Sequence, residues 1–368
     1  VFNFTVIIML KNLIRAYWVM ACAFKNPFAL LPMILGILIL WFIVSFGLLL
    51  DFIFFPKIRK QKIEKPIIII GNPRSGTTFL QRFLVEQNVG VGTELWKMLF
   101  PSLTLQKLIK PILPIIEKIS PARYHQYAAH KTNLTAIETD DPSLLFRFFD
   151  GFFVYGFFLA FAKEDLKKQF APEYKDTSKR DFSWLEKVWK RNLLSEKSNQ
   201  LIAKMFSLSV RVSKYLEYFP DAKIIYTIRD PMETVPSGLS LVTGVLDGKF
   251  GFWTRLENKK RNEYIERLYN GLLDLSIRFH ISYANTEFPP EKVKIVPYQR
   301  MMNDFEAIMN EIFEFIDIKP TNDTLENIKV TAEKQKKFKS EHKYDLQKFG
   351  LNEERIKQDY ELIYKTFF

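Results

Sequence analysis

Four consecutive isoleucines, Ile67 to Ile70, stand between Pro66 and Gly71, and no other stretch limits the fold so tightly. A short β-branched run bounded by Pro and Gly reads as a strand buried on both faces, which calls for a parallel sheet with helices on each side. The run leads into Gly71-Asn72-Pro73-Arg74-Ser75-Gly76-Thr77-Thr78, after which Phe79 to Leu84 reads as a helix. Strand, glycine-bearing loop and helix start together make a cradle for an anion. N–H groups at a helix N-terminus point at the ligand, and glycines let the backbone approach it. The G-x-x-x-x-G spacing is that of a Walker A loop, yet Thr77 stands where that motif has lysine. The cation is Arg74, inside the loop. The pattern therefore predicts binding of an anionic group without the lysine a nucleoside triphosphatase uses.

A second unit of the same kind begins at Phe219. Phe219-Pro220-Asp221-Ala222 is a turn, Lys223 to Ile228 a strand, and Arg229-Asp230-Pro231 its exit. Asp230, Pro231 and Glu233 fit the N-cap, first and third positions of a new helix. Arg229, at the C-terminal end of a strand, is placed to meet a ligand in the crevice of a parallel sheet. Ser237 follows Arg229 by about two helical turns. A third strand is expected over Val293 to Val296.

These segments resemble those of sulfotransferases that use 3′-phosphoadenosine-5′-phosphosulfate (PAPS). Gly71 to Leu80 is similar to their 5′-phosphosulfate loop, and Phe219 to Pro231 with Ser237 to their 3′-phosphate segment. Arg74 in place of lysine resembles the bacterial and tyrosylprotein-sulfotransferase-like branch, as do Glu138 to Pro142, His342 to Leu346 and Phe349 to Leu351. The resemblance covers Pro66 to the C-terminus. It implies a three-layer α/β, P-loop-like parallel sheet flanked by helices, with PAPS as cosubstrate and no metal. It places Arg74, Ser75, Gly76, Thr77 and Thr78 on the 5′-phosphosulfate, and Arg229 and Ser237 on the 3′-phosphate. This sequence departs from the family at Pro236 and Gly238, which flank Ser237, and in lacking a C-terminal Arg-Lys-Gly segment. Lys336, Lys337 and Lys339 are candidates to replace that segment.

Sulfonyl transfer builds charge on the departing phosphate, so fixed cations and N–H groups beside it lower the barrier. Arg74 suits that role, and Lys204 stands close to where the tyrosylprotein branch carries a lysine on the same phosphate. The acceptor needs a general base. Glu94 resembles the acidic residue of that branch in spacing and ranks first. His130, near the spacing of the cytosolic branch's histidine, and Glu138, which opens the acidic run to Asp141, are the alternatives.

Ahead of this domain the composition changes. Phe28 to Leu50 holds no charged residue, and Phe52 to Phe55 prolong the run past Asp51. About 20 apolar residues cross the hydrocarbon layer, so residues 28–55 are expected to form a transmembrane or re-entrant anchor. Residues 1–27 carry Lys11 and Arg15 four apart beside Tyr17 and Trp18, which suits an amphipathic segment lying in the interface. Residues 56–65 form a basic linker, and 66–368 the sulfotransferase domain. Lys57, Arg59, Lys60, Lys62 and Lys65 after the span outnumber Lys11, Arg15 and Lys25 before it, which predicts a cytoplasmic catalytic domain.

The net charge of +12 favours anionic partners. Cys22 is the sole cysteine, and the four histidines show no HExxH spacing, which excludes a disulfide and a cysteine zinc site and argues against a metal centre. No basic patch interleaved with aromatics speaks for nucleic acid. Between Leu144 and Phe161 the chain is crowded with phenylalanine, which is read as core packing or as an apolar acceptor pocket or membrane-facing surface. The expected activity is sulfonyl transfer to a hydroxyl or amine acceptor, either a small molecule or a lipid, by a protein whose other partner is the bilayer. The competing readings are a P-loop kinase or NTPase and a basic membrane scaffold.

Overall fold

The computed structural model describes residues 2–26, 28, 31–119, 132–163, 172–337 and 345–368. The chain divides into two compact units. Glu64–Gly92, Gln200–Gly238 and Leu272–Phe368 form a sheet unit; Val1–Ile63, Thr93–Asn199 and Leu239–Gly271 form a helical unit.

In the sheet unit, β1 (Glu64–Gly71), β2 (Gln200–Lys204), β3 (Lys223–Ile228) and β4 (Val293–Pro297) run in the order β2-β1-β3-β4. All neighbours are parallel. Register pairs Ile67 with Ile202 and Lys223, and Ile69 with Lys204 and Ile225. Because side chains alternate along a strand, Ile67, Ile69, Ile202, Ile225 and Val296 share one face. They pack with Leu80, Phe83 and Leu84 of the helix Thr77–Glu86 and with Ile308, Met309 and Ile312 of the helix Phe305–Phe315. On the opposite face the Tyr226 ring lies flat on Phe279, centroids 3.5 Å apart, with Phe367 beside both. Helices thus cover both faces of the sheet, which is why four adjacent isoleucines are all buried.

Among its described residues the helical unit is built from helices. The longest wholly within it, Leu31–Phe54, is followed in length by Phe2–Phe24 and by Ser178–Glu196, whose Trp184 and Trp189 donate to the Ser143 carbonyl and to Asp140 Oδ1. The phenylalanine-rich stretch folds as the short helices Pro142–Phe148 and Phe152–Phe157 and the 3-10 turn Leu159–Phe161. None of its phenylalanines is exposed. Phe161 stacks on Tyr264 at 4.1 Å, and the Tyr264 hydroxyl donates to the Gly156 carbonyl. Of the readings open for this stretch, core packing is the one observed, because these rings pack on one another and on neighbouring helices.

Among the described residues, two helices are long and apolar enough to cross a membrane by length and composition: Val6–Phe24, 33% buried, and Leu31–Phe54, 11% buried. The second is tied to its own unit most firmly at Asp51. Asp51 is fully buried and accepts from the Ser102 hydroxyl (2.9 Å), the N–H groups of Leu103 (3.1 Å) and Thr104 (2.9 Å), the Thr104 hydroxyl (2.9 Å) and Arg191 Nε (2.8 Å). It thereby satisfies free N–H groups at the start of the helix Leu103–Ile109.

Candidate active site

The site in the sheet unit starts where β1 ends. Gly71 has φ +140°, and a Cβ there would stand 2.3 Å from the Thr227 carbonyl oxygen of β3. Glycine is what lets the chain turn this close to its neighbouring strand. The loop then passes through Arg74 at φ +76°, a left-handed conformation that costs a non-glycine residue free energy and gathers at functional sites. Ser75, almost wholly buried, holds the turn: its hydroxyl donates to the Asn72 carbonyl and shares a hydrogen bond with the Thr227 hydroxyl, both at 2.7 Å. Gly76, at φ +89°, occupies the N-cap of Thr77–Glu86, and no side chain caps that helix. The N–H groups of its first turn are thus of the kind an anion satisfies. A Cβ on Gly76 would meet Met301 at 2.7 Å and Tyr298 at 2.9 Å.

Three cations converge on the loop. Arg74 Nε donates to Ser237 Oγ at 2.9 Å. Arg229 donates from Nη1 to the Arg74 carbonyl at 3.1 Å, pairs with Glu233, and lies 4.2 Å over the Tyr298 ring. Lys204, at the end of β2 and buried, donates to Thr78 Oγ1 at 2.7 Å. The structure therefore brings together Arg74, Ser75, Gly76, Thr77, Thr78, Lys204, Arg229 and Ser237 from four separate stretches of sequence. Ser237 sits in the helix Pro231–Phe250, which runs unbroken through Pro236. Asp230 starts that helix as expected, accepting from the Met232 N–H at 2.8 Å and from the Tyr364 hydroxyl at 2.6 Å. Glu233, expected to close the cap, serves Arg229 instead.

Asn72 of the loop completes the site together with Thr234 and Ser276, which carry no sequence motif. Asn72 Nδ2 donates to Ser276 Oγ at 2.6 Å, while its Oδ1 is buried with no hydrogen-bond partner among the described residues. Ser276 and Thr234 line a small pocket with Asn72, Ser75, Thr227 and Arg229. An unsatisfied buried carbonyl beside hydroxyls and a guanidinium suits a polar, hydrogen-bonding ligand. Burial pushes the neighbouring Tyr226 phenol well up, so it stays a neutral donor.

The sulfotransferase family model matches residues 66–323. The chain belongs to that family. Among solved structures, sulfotransferase STF1 from Mycobacterium tuberculosis H37Rv is similar with a TM-score of 0.69 at 15% identity, covering 96% of this chain and 90% of that one. Sulfotransferase STF9 from Mycobacterium avium follows with a TM-score of 0.56 at 18% identity, over 85% of this chain and 79% of that one. No curated protein matches the sequence. At these identities the neighbours establish a sulfotransferase fold, and the alignment with STF1 reaches into the N-terminal helices.

The remaining candidates of this sulfotransferase lie elsewhere. Glu94 is in the helical unit, at the N-cap of the short helix Leu95–Leu99, where it accepts from Trp96 Nε1 at 3.1 Å and Lys97 Nζ at 3.0 Å. Lys97 also holds Glu196 at 2.7 Å, and that bond draws the Glu196 carboxyl below its usual range. Glu138 is buried nearby in the same unit, its N–H donating to the Thr93 carbonyl at 3.3 Å. His130, Lys339 and His342 lie outside the described residues. Lys336 and Lys337 are exposed on the last turn of Asn322–Lys337. No group of His, Cys, Asp and Glu suited to a metal ion occurs among the described residues.

Proposed function

We propose that this sulfotransferase moves the sulfonyl group of PAPS to a hydroxyl of a hydrophobic, membrane-resident acceptor. The convergence of Arg74, Arg229 and Ser237 on an uncapped helix start carries the cosubstrate reading. PAPS supplies a sulfonyl group on a phosphate oxygen that becomes more negative as the bond to sulfur breaks. The N–H groups of Gly76, Thr77 and Thr78 hold the 5′-phosphosulfate, and Arg74 and Lys204 stabilise the charge that grows there. Arg229 and Ser237 receive the 3′-phosphate, with Glu233 the partner that Arg229 gives up. Glu94 takes the acceptor's proton. Protonation of Glu94 leaves Lys97 its bond to Glu196, so the lysine keeps a counter-charge through the step.

The acceptor reading rests on the apolar helix Leu31–Phe54, which ends ten residues before β1 begins. We take it as the anchor that keeps the enzyme on the bilayer, with the catalytic units on the cytoplasmic side where the basic stretch Lys57–Lys65 lies. The test uses the full chain in detergent, with PAPS labelled in its sulfonyl group, a membrane lipid extract, and separately the soluble metabolite pool. Label is expected in the lipid fraction. Label appearing in water-soluble products alone contradicts the lipid acceptor, and no transfer of label to any product contradicts the cosubstrate.

A further inference from the structure

The helix Leu31–Phe54 has two unlike stripes. Val44, Gly47 and Asp51, spaced three and four apart, are buried. Leu35, Ile39, Phe42, Phe46, Leu49 and Ile53, spaced in the same way, are exposed. The buried stripe lies on the segment that begins at Ser102. A Cβ on Gly47 would stand 2.5 Å from Leu105, and Asp51 takes the bonds from Ser102, Leu103 and Thr104 described above. The last two turns of the apolar helix therefore belong to the folded body. They are not a tether swinging on a linker.

The segment it packs on is itself inverted. Leu103–Ile109, the 3-10 turn Lys110–Ile112 and Leu113–Ile119 follow one another, with Leu103, Leu105 and Leu113 buried. Yet its surface, which water should make polar, carries Leu108 (66% exposed), Ile112 (47%) and Ile115 (65%). One stands in each of the three successive pieces. The segment's single acid, Glu117, turns to accept from the Leu134 N–H at 2.7 Å. Its lysines, Lys107, Lys110 and Lys118, are all exposed. Lys107 lies 4.8 Å over the Phe55 ring, and Arg59 lies 3.9 Å over Phe52, at the end of the apolar helix. Cations beside aromatic rings at the end of an apolar helix mark the headgroup level of a bilayer, and lysines flanking exposed aliphatics suit its anionic lipids.

We infer that Leu103–Ile119 is a second membrane element: it lies in the plane of the anionic leaflet, with Leu108, Ile112 and Ile115 below the headgroups. This rests on the reading of Leu31–Phe54 as the anchor. A helix lying flat against the end of the anchor holds the body against the bilayer in one orientation, which an anchor alone does not do.

Spin-label depth measurement tests this on the full chain carrying Cys22→Ser, reconstituted in vesicles of phosphatidylcholine with about 30 mol % phosphatidylglycerol. Single cysteines replace Leu108, Ile112 or Ile115, with Phe42 as the anchor reference and Tyr174, an exposed site in the same unit, as the water reference. Labels at 108, 112 and 115 are expected to collide with oxygen more than with a water-soluble nickel chelate, as at 42 and opposite to 174. If 42 reports lipid while 108, 112 and 115 report water, the in-plane element is refuted and the anchor stands. If 42 reports water too, the anchor reading itself has failed. Low collision with both reagents at 108, 112 and 115 means a protein contact, such as a second copy of this chain, and also overturns the proposal.

Discussion

Two sets of charged groups, one in each unit, are used in opposite ways. In the helical unit, the buried carboxylates of Asp51 and Asp150 are saturated with donors, cations among them. Asp51 collects five donors, including Arg191. Asp150 is desolvated, which pushes its carboxyl up, yet Lys175 at 3.0 Å, Arg180 at 2.9 Å and the Tyr155 hydroxyl outweigh that and draw it down. In the sheet unit, Arg74 and Lys204 donate to the hydroxyls of Ser237 and Thr78, and Arg229 pairs with a Glu233 whose side chain is 42% exposed. A buried ion pair is costly to open and fixes architecture. A hydroxyl or a half-solvated carboxylate is exchanged for a phosphate at small cost. Asp51 and Asp150 hold architecture; Arg74, Lys204 and Arg229 are the groups proposed to meet the nucleotide.

Substitutions can break this contrast. The largest effect is expected from Asp51→Ala, which leaves Arg191 and the start of Leu103–Ile109 unsatisfied. A loss of about 3–5 kcal/mol should appear as a lower melting temperature in detergent, with nucleotide affinity unchanged in the folded protein. Arg74→Ala should do the reverse, lowering kcat on the order of 10²–10³-fold while melting stays near wild type. Should Arg74→Ala unfold the enzyme and Asp51→Ala leave melting untouched, the division of roles is wrong. Arg229→Ala is expected to weaken binding of 3′-phosphoadenosine-5′-phosphate by ~1.5–3 kcal/mol, read by calorimetry.

The smallest effect concerns acid. Glu311 accepts from Arg300 at 2.6 Å and Lys294 at 2.9 Å, and the hydrogen bonds from Arg300 and Lys294 draw its carboxyl from 4.5 down to about 2. A carboxyl lowered on folding stabilises the protein above its unfolded value and ceases to as pH falls. The contribution should therefore be complete above 4.5 and be lost between 4.5 and about 2. Because Glu311 is 39% exposed, solvent screening limits the gain to at most about 1 kcal/mol. Melting of Glu311→Gln against wild type across that range should converge at the acid end.

Much of the sheet unit was legible in the sequence, because its signals are local. Ile67–Ile70 announces β1, the glycines announce the turn, and Asp230-Pro231 announces the helix that bears Ser237. β2 gave no such signal: Gln200–Lys204 is five residues with polar ends, and its pairing with β1 spans more than 130 positions. Thr234 and Ser276 were equally silent, since a polar residue becomes part of a pocket through tertiary packing alone. The phenylalanine-rich stretch stayed open between core and surface for the same reason. Composition reveals that rings are abundant and not which way they face. Asp51 looked like an interruption of the apolar run and is its fastening point.

The central claim is that the loop Gly71–Thr78 and the Arg229–Ser237 segment together hold a 3′-phosphorylated adenine nucleotide. Calorimetric titration of the full chain in detergent with 3′-phosphoadenosine-5′-phosphate, and separately with ATP and magnesium, measures this directly. The account predicts tighter binding of the 3′-phosphorylated nucleotide, needing no added metal and weakened in Arg229→Ala. Tighter binding of ATP with magnesium, or wild-type affinity for the 3′-phosphorylated nucleotide in Arg229→Ala, would contradict it.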